Sequence, residues 1–463
     1  MIKLSNTMRR LSATIAIVSL FLFPFIPAFA QLGGASVNRD SLRALSVQDH
    51  AQMMSQLGIT SVRPGHDGYA EEGPFVPNYD EFTANPYPFY PEVLVTEAGK
   101  KVETAEQWFN ERRPELVKLY EDEIYGHIPD NVPAIRWKVV KEEKMMMDNI
   151  PCIYRELAGE ADNSAYPIIE VSIQASVIWP ESAGKNIPVI VEFGYALGVS
   201  NRQRPGAPVT KSWQQQVVER GWAAASITTG SIQPDGGYGL RSGIIGLVNK
   251  GDYRKPADWG ALRAWGWGAS KLIDYFEGDS QFDATKVAIE GCSRNGKAAL
   301  VAMAFDQRFA AGFIASSGKG GAAPWRRDLG EALENLTSHE EYHWMAGNFV
   351  KYGSDPYTLD DVPVDQHELI ALCAPRPCLI SGGLPEHDRW QDVIGMFIAA
   401  SKASPVYELV GAKGLGTDVF PGPDNGLMDG QLAFRQHHGG HEAGPNWPYF
   451  LDFFDRFVVK AAR

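Results

Sequence analysis

The residues best suited to chemistry lie in Val287-Ala288-Ile289-Glu290-Gly291-Cys292-Ser293-Arg294-Asn295-Gly296-Lys297. A short apolar run enters a tight turn bearing a serine, and a helix-forming run begins at once. Such a turn lifts the serine hydroxyl above the edge of a sheet. It also aims the unpaired backbone N–H groups of the helix start at the oxygen that takes up charge when the hydroxyl attacks a carbonyl. The turn is strained and needs small neighbours, which Gly291 and Gly296 supply. It is not the usual G-x-S-x-G, because Asn295 holds the place of the second glycine and Gly296 follows one residue later. A lone G-x-S arises by chance, but the strand before it and the helix after it mark Ser293 as a nucleophile.

A serine of this kind needs a base, and the base needs an orienting acid. On such elbows the chain order is serine, acid, histidine. Of ten histidines, His437, His438 and His441 come late, in a glycine-rich loop just before the final apolar helix. His441 is nearest that helix and is the favoured base, with His437 and His438 as loop-packing residues. Three close histidines also suit a metal, but no carboxylate cluster accompanies them, so no metal is expected. The acid should follow a strand between serine and histidine. After Cys378 to Ser381 comes Gly382-Gly383-Leu384-Pro385-Glu386-His387-Asp388-Arg389-Trp390, where Asp388 and Glu386 both qualify.

These groups must be held by a framework, and the sequence outlines one. Ile168 to Trp179, Pro188 to Phe193, Trp222 to Ile227, Val287 to Ile289, Phe313 to Ala315, Cys378 to Ser381 and Val406 to Val410 read as strands. Between and after them, Trp213 to Arg220, Pro256 to Phe276, Asn295 to Phe305 and Asn446 to Lys460 read as helices. Strands alternating with helices from Ile135 onward imply a mostly parallel sheet covered by helices on both faces, the α/β-hydrolase architecture. Upstream, the Gly-, Pro-, Asn- and Tyr-rich stretch from Gly33 to about Pro91 reads as an extended arm, followed by an amphipathic helix from Trp108 to Tyr125. The organisation expected is a signal peptide at 1–30, an arm and helix packed on the core at 31–134, and one catalytic domain at 135–463.

The first thirty residues carry Lys3, Arg9 and Arg10, then an apolar run from Ile15 to Phe29 broken by Pro24 and Pro27, then Ala28-Phe29-Ala30. This is the pattern of a cleaved export signal, with cleavage before Gln31 and a secreted or periplasmic product. The segment holds three basic and no acidic residues, so its removal takes the net charge from −13 to −16. That balance argues against nucleic acid and against anionic membranes as partners. Cys152, Cys292, Cys373 and Cys378 are too few for a disulfide framework, and the favoured reading of Cys373 and Cys378 is a pair of buried thiols.

Across nearly all of the chain after residue 30, the sequence resembles the glucuronoyl esterases, carbohydrate esterase family 15. The resemblance rests on Arg112-Arg113-Pro114-Glu115, Trp259-Gly260-Ala261-Leu262, Gly291-Cys292-Ser293-Arg294-Asn295-Gly296-Lys297, Gly330-Glu331 with Asn335-Leu336-Thr337, and Pro363-Val364-Asp365-Gln366-His367. Ala374-Pro375-Arg376-Pro377, Asp388-Arg389-Trp390 and Gly439-Gly440-His441 complete it. Members cleave the ester joining (4-O-methyl)glucuronic acid of xylan to lignin alcohols. The resemblance implies Ser293 as nucleophile, His441 as base, and Arg294 as stabiliser of the oxyanion through its backbone N–H and guanidinium. It implies Lys297, Glu331 and Trp390 as sugar-binding residues. Their plainer readings are an ordinary ion pair for Lys297 with Glu331 and core packing for Trp390.

Two departures stand out. Members often carry a glutamate after the strand that follows the elbow helix, where this chain reads Ala315-Ser316-Ser317-Gly318. The loop Gly194-Tyr195-Ala196-Leu197 stands where Gly-Gly-Asn is commoner. Since the hydroxyl of Ser316 cannot stabilise an imidazolium as a carboxylate does, Asp388 is expected to be the acid. Glu386 is the runner-up, and Asp392 begins the next helix as an N-terminal charge. The expected protein is therefore a monomeric serine esterase without cofactor, acting on glucuronoxylan or a lignin–carbohydrate ester. A polysaccharide deacetylase and a non-catalytic carbohydrate-binding protein on the same fold are the alternatives.

Overall fold

The computed structural model describes residues 38–194 and 211–461. The expected export signal, and Tyr195, Ala196 and Leu197 of the loop after the second apolar strand, lie outside the described residues. Among the described residues nine strands form one sheet: β1 (Ile135–Met147), β2 (Ile150–Ala161), β3 (Ser172–Pro180), β4 (Ile187–Phe193), β5 (Ala223–Ile227), β6 (Phe282–Cys292), β7 (Ala311–Ala315), β8 (Cys378–Gly382) and β9 (Leu432–Gln436). Their order is β1-β2-β3-β5-β4-β6-β7-β8-β9. The first four in that order pair antiparallel, and from β5 through β9 every pairing is parallel.

The helices of the framework are α1 (Arg39–Leu57), α2 (Trp213–Val218), α3 (Ala261–Glu277), α4 (Arg294–Phe305), α5 (Gln366–Ala371), α6 (Val393–Leu409) and α7 (Trp447–Phe454). Alternation along each central strand sends side chains to opposite faces. Val189, Val191, Val287, Ile289, Ile314 and Ile380 join the core beneath α3 and α4. Ile190, Ala288, Phe313 and Leu379 face the core closed by α2 and α7, where Trp213 stacks on Trp447 with ring centroids 4.8 Å apart. Each fully buried Val, Leu, Ile or Phe contributes about 1.5–3 kcal/mol of transfer free energy. Helix α3 presents Leu262, Trp265, Ala269, Leu272, Ile273 and Phe276 at helical spacing, all buried. Gly266 lets α3 approach α4, since a Cβ there would lie 3.2 Å from Ala302 Cα.

Three expectations need correction. The arm is not extended throughout, because Arg39–Leu57 is a helix of 19 residues. Ile135 opens an antiparallel hairpin, β1–β2, and not a strand–helix alternation. Val406 to Val410 is no strand: Val406 to Leu409 is the last turn of α6, which tolerates Pro405 in its interior. The last strand is Leu432–Gln436 instead. All four cysteines are free, with Cys373 and Cys378 both buried.

Beyond α1, the arm is tied to the segment before α5. Arg63 donates to Glu334 Oε1 at 3.0 Å and to Tyr352 O, and the His66 Nδ1 lies 2.8 Å from Gly330 O. Asn78 Nδ2 donates to Asp328 O, and Glu81 pairs with Arg327. The arm thus braces the loops that reach the parallel strands' C-terminal ends.

Candidate active site

Strand β6 ends at Cys292 and α4 starts at Arg294, leaving Ser293 alone in the turn with φ 63° and ψ −133°. A non-glycine residue at such a positive φ stores about 1–3 kcal/mol of strain and needs its surroundings to hold it there. Those surroundings are specific. Ser293 N donates to Ala315 O at 3.0 Å, tying the turn to the end of β7. A Cβ on Gly291 would lie 2.1 Å from Asn295 O, and one on Gly296 would lie 2.7 Å from Ala315 O, so both positions require glycine. Asn295 Nδ2 donates to Phe193 O at 2.7 Å, so the residue in the usual second-glycine place pins the end of β4.

The loop after β8 and the loop after β9 meet back to back. Leu384 N donates to Gly439 O at 2.9 Å, and a Cβ on Gly383 would lie 2.4 Å from Gly440 O. This contact brings His441 Nδ1 to 2.9 Å from Asp388 Oδ1. The other carboxylate oxygen accepts from Ser316 Oγ at 2.5 Å and from Gly383 N at 3.2 Å. The Asp388 side chain is 2 % exposed and that of His441 41 %. A carboxylate on Nδ1 holds the imidazole in the tautomer that carries its proton there, leaving Nε2 with a lone pair. Glu386 is exposed and sits outside this chain of contacts. Asp392 caps α6, accepting from Gly395 N, and forms a buried pair with Arg327.

The three late histidines have separate partners. His437 accepts from Gly439 N through Nδ1, so its Nε2 donates to Glu442 O at 2.9 Å, and the ring holds its own loop together. His438 faces Asp424 at the surface. Among the described residues no group of three or more His, Cys, Asp or Glu side chains is placed to hold a metal ion.

Lys297, one turn into α4, places its Nζ 2.7 Å from Glu331 Oε2 and 2.5 Å from Lys319 O. The two side chains are each 3 % exposed, a buried ion pair. Glu331 N donates to Trp390 O at 2.9 Å, which joins the second and third sugar-site candidates through the backbone. The Trp390 ring is half-buried and lies against Gly68 of the arm, where an added Cβ would sit 3.1 Å from the ring. Arg294 Nη1 is 2.6 Å from Asp235 Oδ2, and its guanidinium lies 5.6 Å from the centroid of the Trp344 ring. The Lys297 ammonium lies at the same distance from that ring.

Asp235, Glu341, His343 and Trp344 were not singled out from sequence. Asp235 had a readable signal, a carboxylate before two glycines in the connection that follows the strand ending at Ile227. The others lie between β7 and β8 without regular patterning. Burial, and then the charge of Glu331, push the Glu341 carboxyl up to about 8, against the pull of Lys297 and Arg294.

Comparison with known proteins is consistent with this geometry. The family described as "Glucuronyl esterase, fungi" matches residues 251–411. The chain is 32 % identical over 433 residues to "Carbohydrate esterase MZ0003" from an unknown prokaryotic organism, covering 86 % of this chain and 96 % of that protein. It is 36 % identical over 224 residues to 4-O-methyl-glucuronoyl methylesterase 1 of Wolfiporia cocos, an alignment that spans 48 % of the fungal enzyme. Among solved structures, a CE15 glucuronoyl esterase from Teredinibacter turnerae T7901 superposes with a TM-score of 0.83 at 42 % identity, covering 89 % of this chain and 99 % of that one.

Proposed function

Because this chain belongs to carbohydrate esterase family 15, the glucuronoyl esterases, we propose that Ser293 is its nucleophile, His441 its general base and Asp388 its acid. The chain is a carboxylic ester hydrolase, and its substrates are 4-O-methylglucuronoyl esters. His441 Nε2 takes the Ser293 hydroxyl proton as Oγ attacks the ester carbonyl. The backbone N–H of Arg294 and its guanidinium face the oxygen that becomes negative. The tetrahedral intermediate collapses, the imidazolium gives its proton to the departing alkoxide, and a uronoyl–serine ester remains. Water, deprotonated by the same Nε2, then releases the uronic acid and returns the proton to Ser293.

The observation that carries this reading is the buried Asp388 carboxylate, fixed by Ser316 and Gly383 and 2.9 Å from His441. It supplies a charge to stabilise the imidazolium at the sheet edge where the strained serine emerges. Lys297, Glu331 and Trp390 form the sugar side of the site. The natural substrate is the ester between glucuronoxylan and a lignin alcohol, met by an exported monomer. Residues 1–30 are its signal, 31–134 an N-terminal arm and helix, and 135–463 the catalytic domain. Among the described residues no helix is long and apolar enough to cross a membrane.

Incubation with a methyl ester of 4-O-methylglucuronate and, separately, with acetylated xylan tests the substrate class. The uronate ester should be cleaved far faster, and Ser293→Ala should lose about 10⁶-fold in turnover, as triad nucleophiles do. Faster release of acetate than of methanol would replace this reading with a deacetylase. A folded Ser293→Ala variant turning over near the wild-type rate would remove the nucleophile.

A further inference from the structure

An arginine beside a nucleophile helps only if its guanidinium stands still, and the Arg294 side chain is 40 % exposed on a flexible stem. What holds it is a carboxylate with both oxygens committed. Asp235 Oδ2 lies 2.6 Å from Arg294 Nη1. Its Oδ1 accepts from Trp344 Nε1 at 2.7 Å and from His343 Nε2 at 2.9 Å. The donors are themselves fixed, since the His343 side chain is 3 % exposed and burial, first among the causes, lowers its pKa so that it serves as a neutral donor. We propose that Asp235 is the positioning residue of this esterase, fixing the Arg294 guanidinium at the serine turn so that it meets the developing oxyanion without reorganising. This rests on the role given above to Arg294.

The loop bearing Asp235 is fixed from several sides. Gln233, fully buried, donates to Gly239 O at 2.7 Å and accepts from Ile245 N. Gln233 O accepts from Trp265 of α3. Tyr238 N donates to Ser46 Oγ of α1 at 2.9 Å, and Tyr342, next to His343, donates to Asp49 of the same helix. Helix α1 therefore grips both the loop that supplies the carboxylate and the turn that supplies its two donors. Burial would raise the Asp235 carboxyl, but the hydrogen bonds from His343 and Trp344 and the charge of Arg294 outweigh it and hold the group well below the usual range. The bracket thus stays charged across any practical assay pH.

The test is a cycle of Asp235→Asn and Arg294→Ala on full-length protein, with kcat and KM read for the glucuronate ester and for 4-nitrophenyl acetate. A displaced catalytic group of this kind costs on the order of a hundredfold in rate. Asp235→Asn should lower kcat by about tenfold to a hundredfold on both esters, equally at every pH assayed, with KM changed by no more than about threefold. In the Arg294→Ala background the same substitution should cost less than about twofold, because the group it positions is gone. Trp344→Phe, which removes one donor and keeps the ring, should reproduce a smaller kcat loss that also vanishes in that background, and it decides the matter if Asp235→Asn does not fold. Equal losses in both backgrounds, or an unchanged kcat, would overturn the proposal. A wild-type enzyme that cleaves the acetate ester but not the glucuronate ester would refute the substrate reading, and the cycle would still be read on the acetate.

Discussion

Replacing Asp388 by asparagine keeps the shape of the side chain and removes its charge. Ser316 can still donate to the amide oxygen, so the fold should survive. The catalytic loss follows from the geometry. Two unit charges 2.9 Å apart, the spacing of His441 and Asp388, attract by about 6 kcal/mol at an effective dielectric of about 20. The carboxylate is buried but the imidazole is 41 % exposed, so water screens part of this interaction. Halving it leaves about 3 kcal/mol as a lower figure. Because that attraction exists only once the imidazole is protonated in the transition state, the whole of it acts on the barrier. A loss of about 3–6 kcal/mol is a fall of about 10² to 10⁴ in kcat. The upper end applies if the new amide turns its NH₂ toward Nδ1 and favours the wrong tautomer, the mechanism behind the roughly 10⁴-fold loss of the same substitution in other serine triads. The assay is kcat on a methyl glucuronate ester, with thermal melts to confirm folding and Glu386→Gln as control. Glu386 is exposed, so its variant should stay within about twofold of wild type. A folded Asp388→Asn enzyme keeping more than about a tenth of wild-type kcat, or a Glu386→Gln enzyme equally impaired, would refute the reasoning.

Truncating Lys297, Glu331 or Trp390 should reduce kcat/KM on the glucuronate ester by about tenfold or more beyond any loss on 4-nitrophenyl acetate, since a charged hydrogen bond to a sugar hydroxyl is worth about 1.5–3 kcal/mol. Equal losses on both esters would make these residues part of the fold. Removing one partner of the buried Lys297–Glu331 pair should also lower stability by about 3–5 kcal/mol, read by denaturant unfolding. Glu192 and Glu290 sit opposite each other on β4 and β6. Burial pushes Glu192 up to about 7, and burial together with the Glu192 charge raises Glu290 well above the ordinary range. The folded state then holds protons that the unfolded chain has already released above the ordinary value of 4.5, so this contribution is complete below that pH and is lost as pH rises through the folded values. Glu290→Gln should therefore gain melting temperature over wild type as pH rises from about 5 to about 8, and a pH-independent difference would exclude raised values for this pair. Ser316→Ala should cut kcat by about tenfold to a hundredfold by loosening Asp388, with no further effect once Asp388→Asn is present; additive losses would give Ser316 a role of its own.

The serine turn and its partners were legible because each is forced by local geometry. A strand running straight into a helix leaves room only for small residues, and Gly291 and Gly296 advertise it. The order of groups along the chain then left few histidines and carboxylates to choose among. What stayed hidden is polar. Helix α1 buries Ser46, Asp49, His50 and Met53, positions spaced as one helical face, yet three of the four are polar and no apolar stripe marks them. They are buried through hydrogen bonds to Tyr238 N, Tyr342 and Thr337 O. Strand β1 is mostly exposed and carries Lys141, Glu142, Glu143 and Lys144, so its period of two never appears. Val406 to Val410 misled in the opposite sense, because a short run with β-branched ends resembles a buried strand, and its true setting, the end of a long apolar helix, shows only over a wider window.

The placement of the acid follows from how β7 and β8 end. They are parallel neighbours with Ala315 opposite Ser381, and Ser316 N donates to Ser381 O at 2.8 Å as the sheet gives out. A side chain leaving either strand end is therefore close to the same point above the sheet, and the histidine loop is packed against the β8 side by Gly383. A carboxylate arriving from the β8 loop reaches the imidazole without any shift of the strands. The hydroxyl at 316 then has a task that a larger acid in that place would not perform, which is to donate to the carboxylate from the side away from His441. With Gly383 N as a second donor, the Asp388 carboxylate is held by two fixed groups on one oxygen and presents the other to Nδ1. The hydroxyl of Ser316 and the carboxylate of Asp388 are thus one arrangement, in which the neutral residue orients the charged one toward His441.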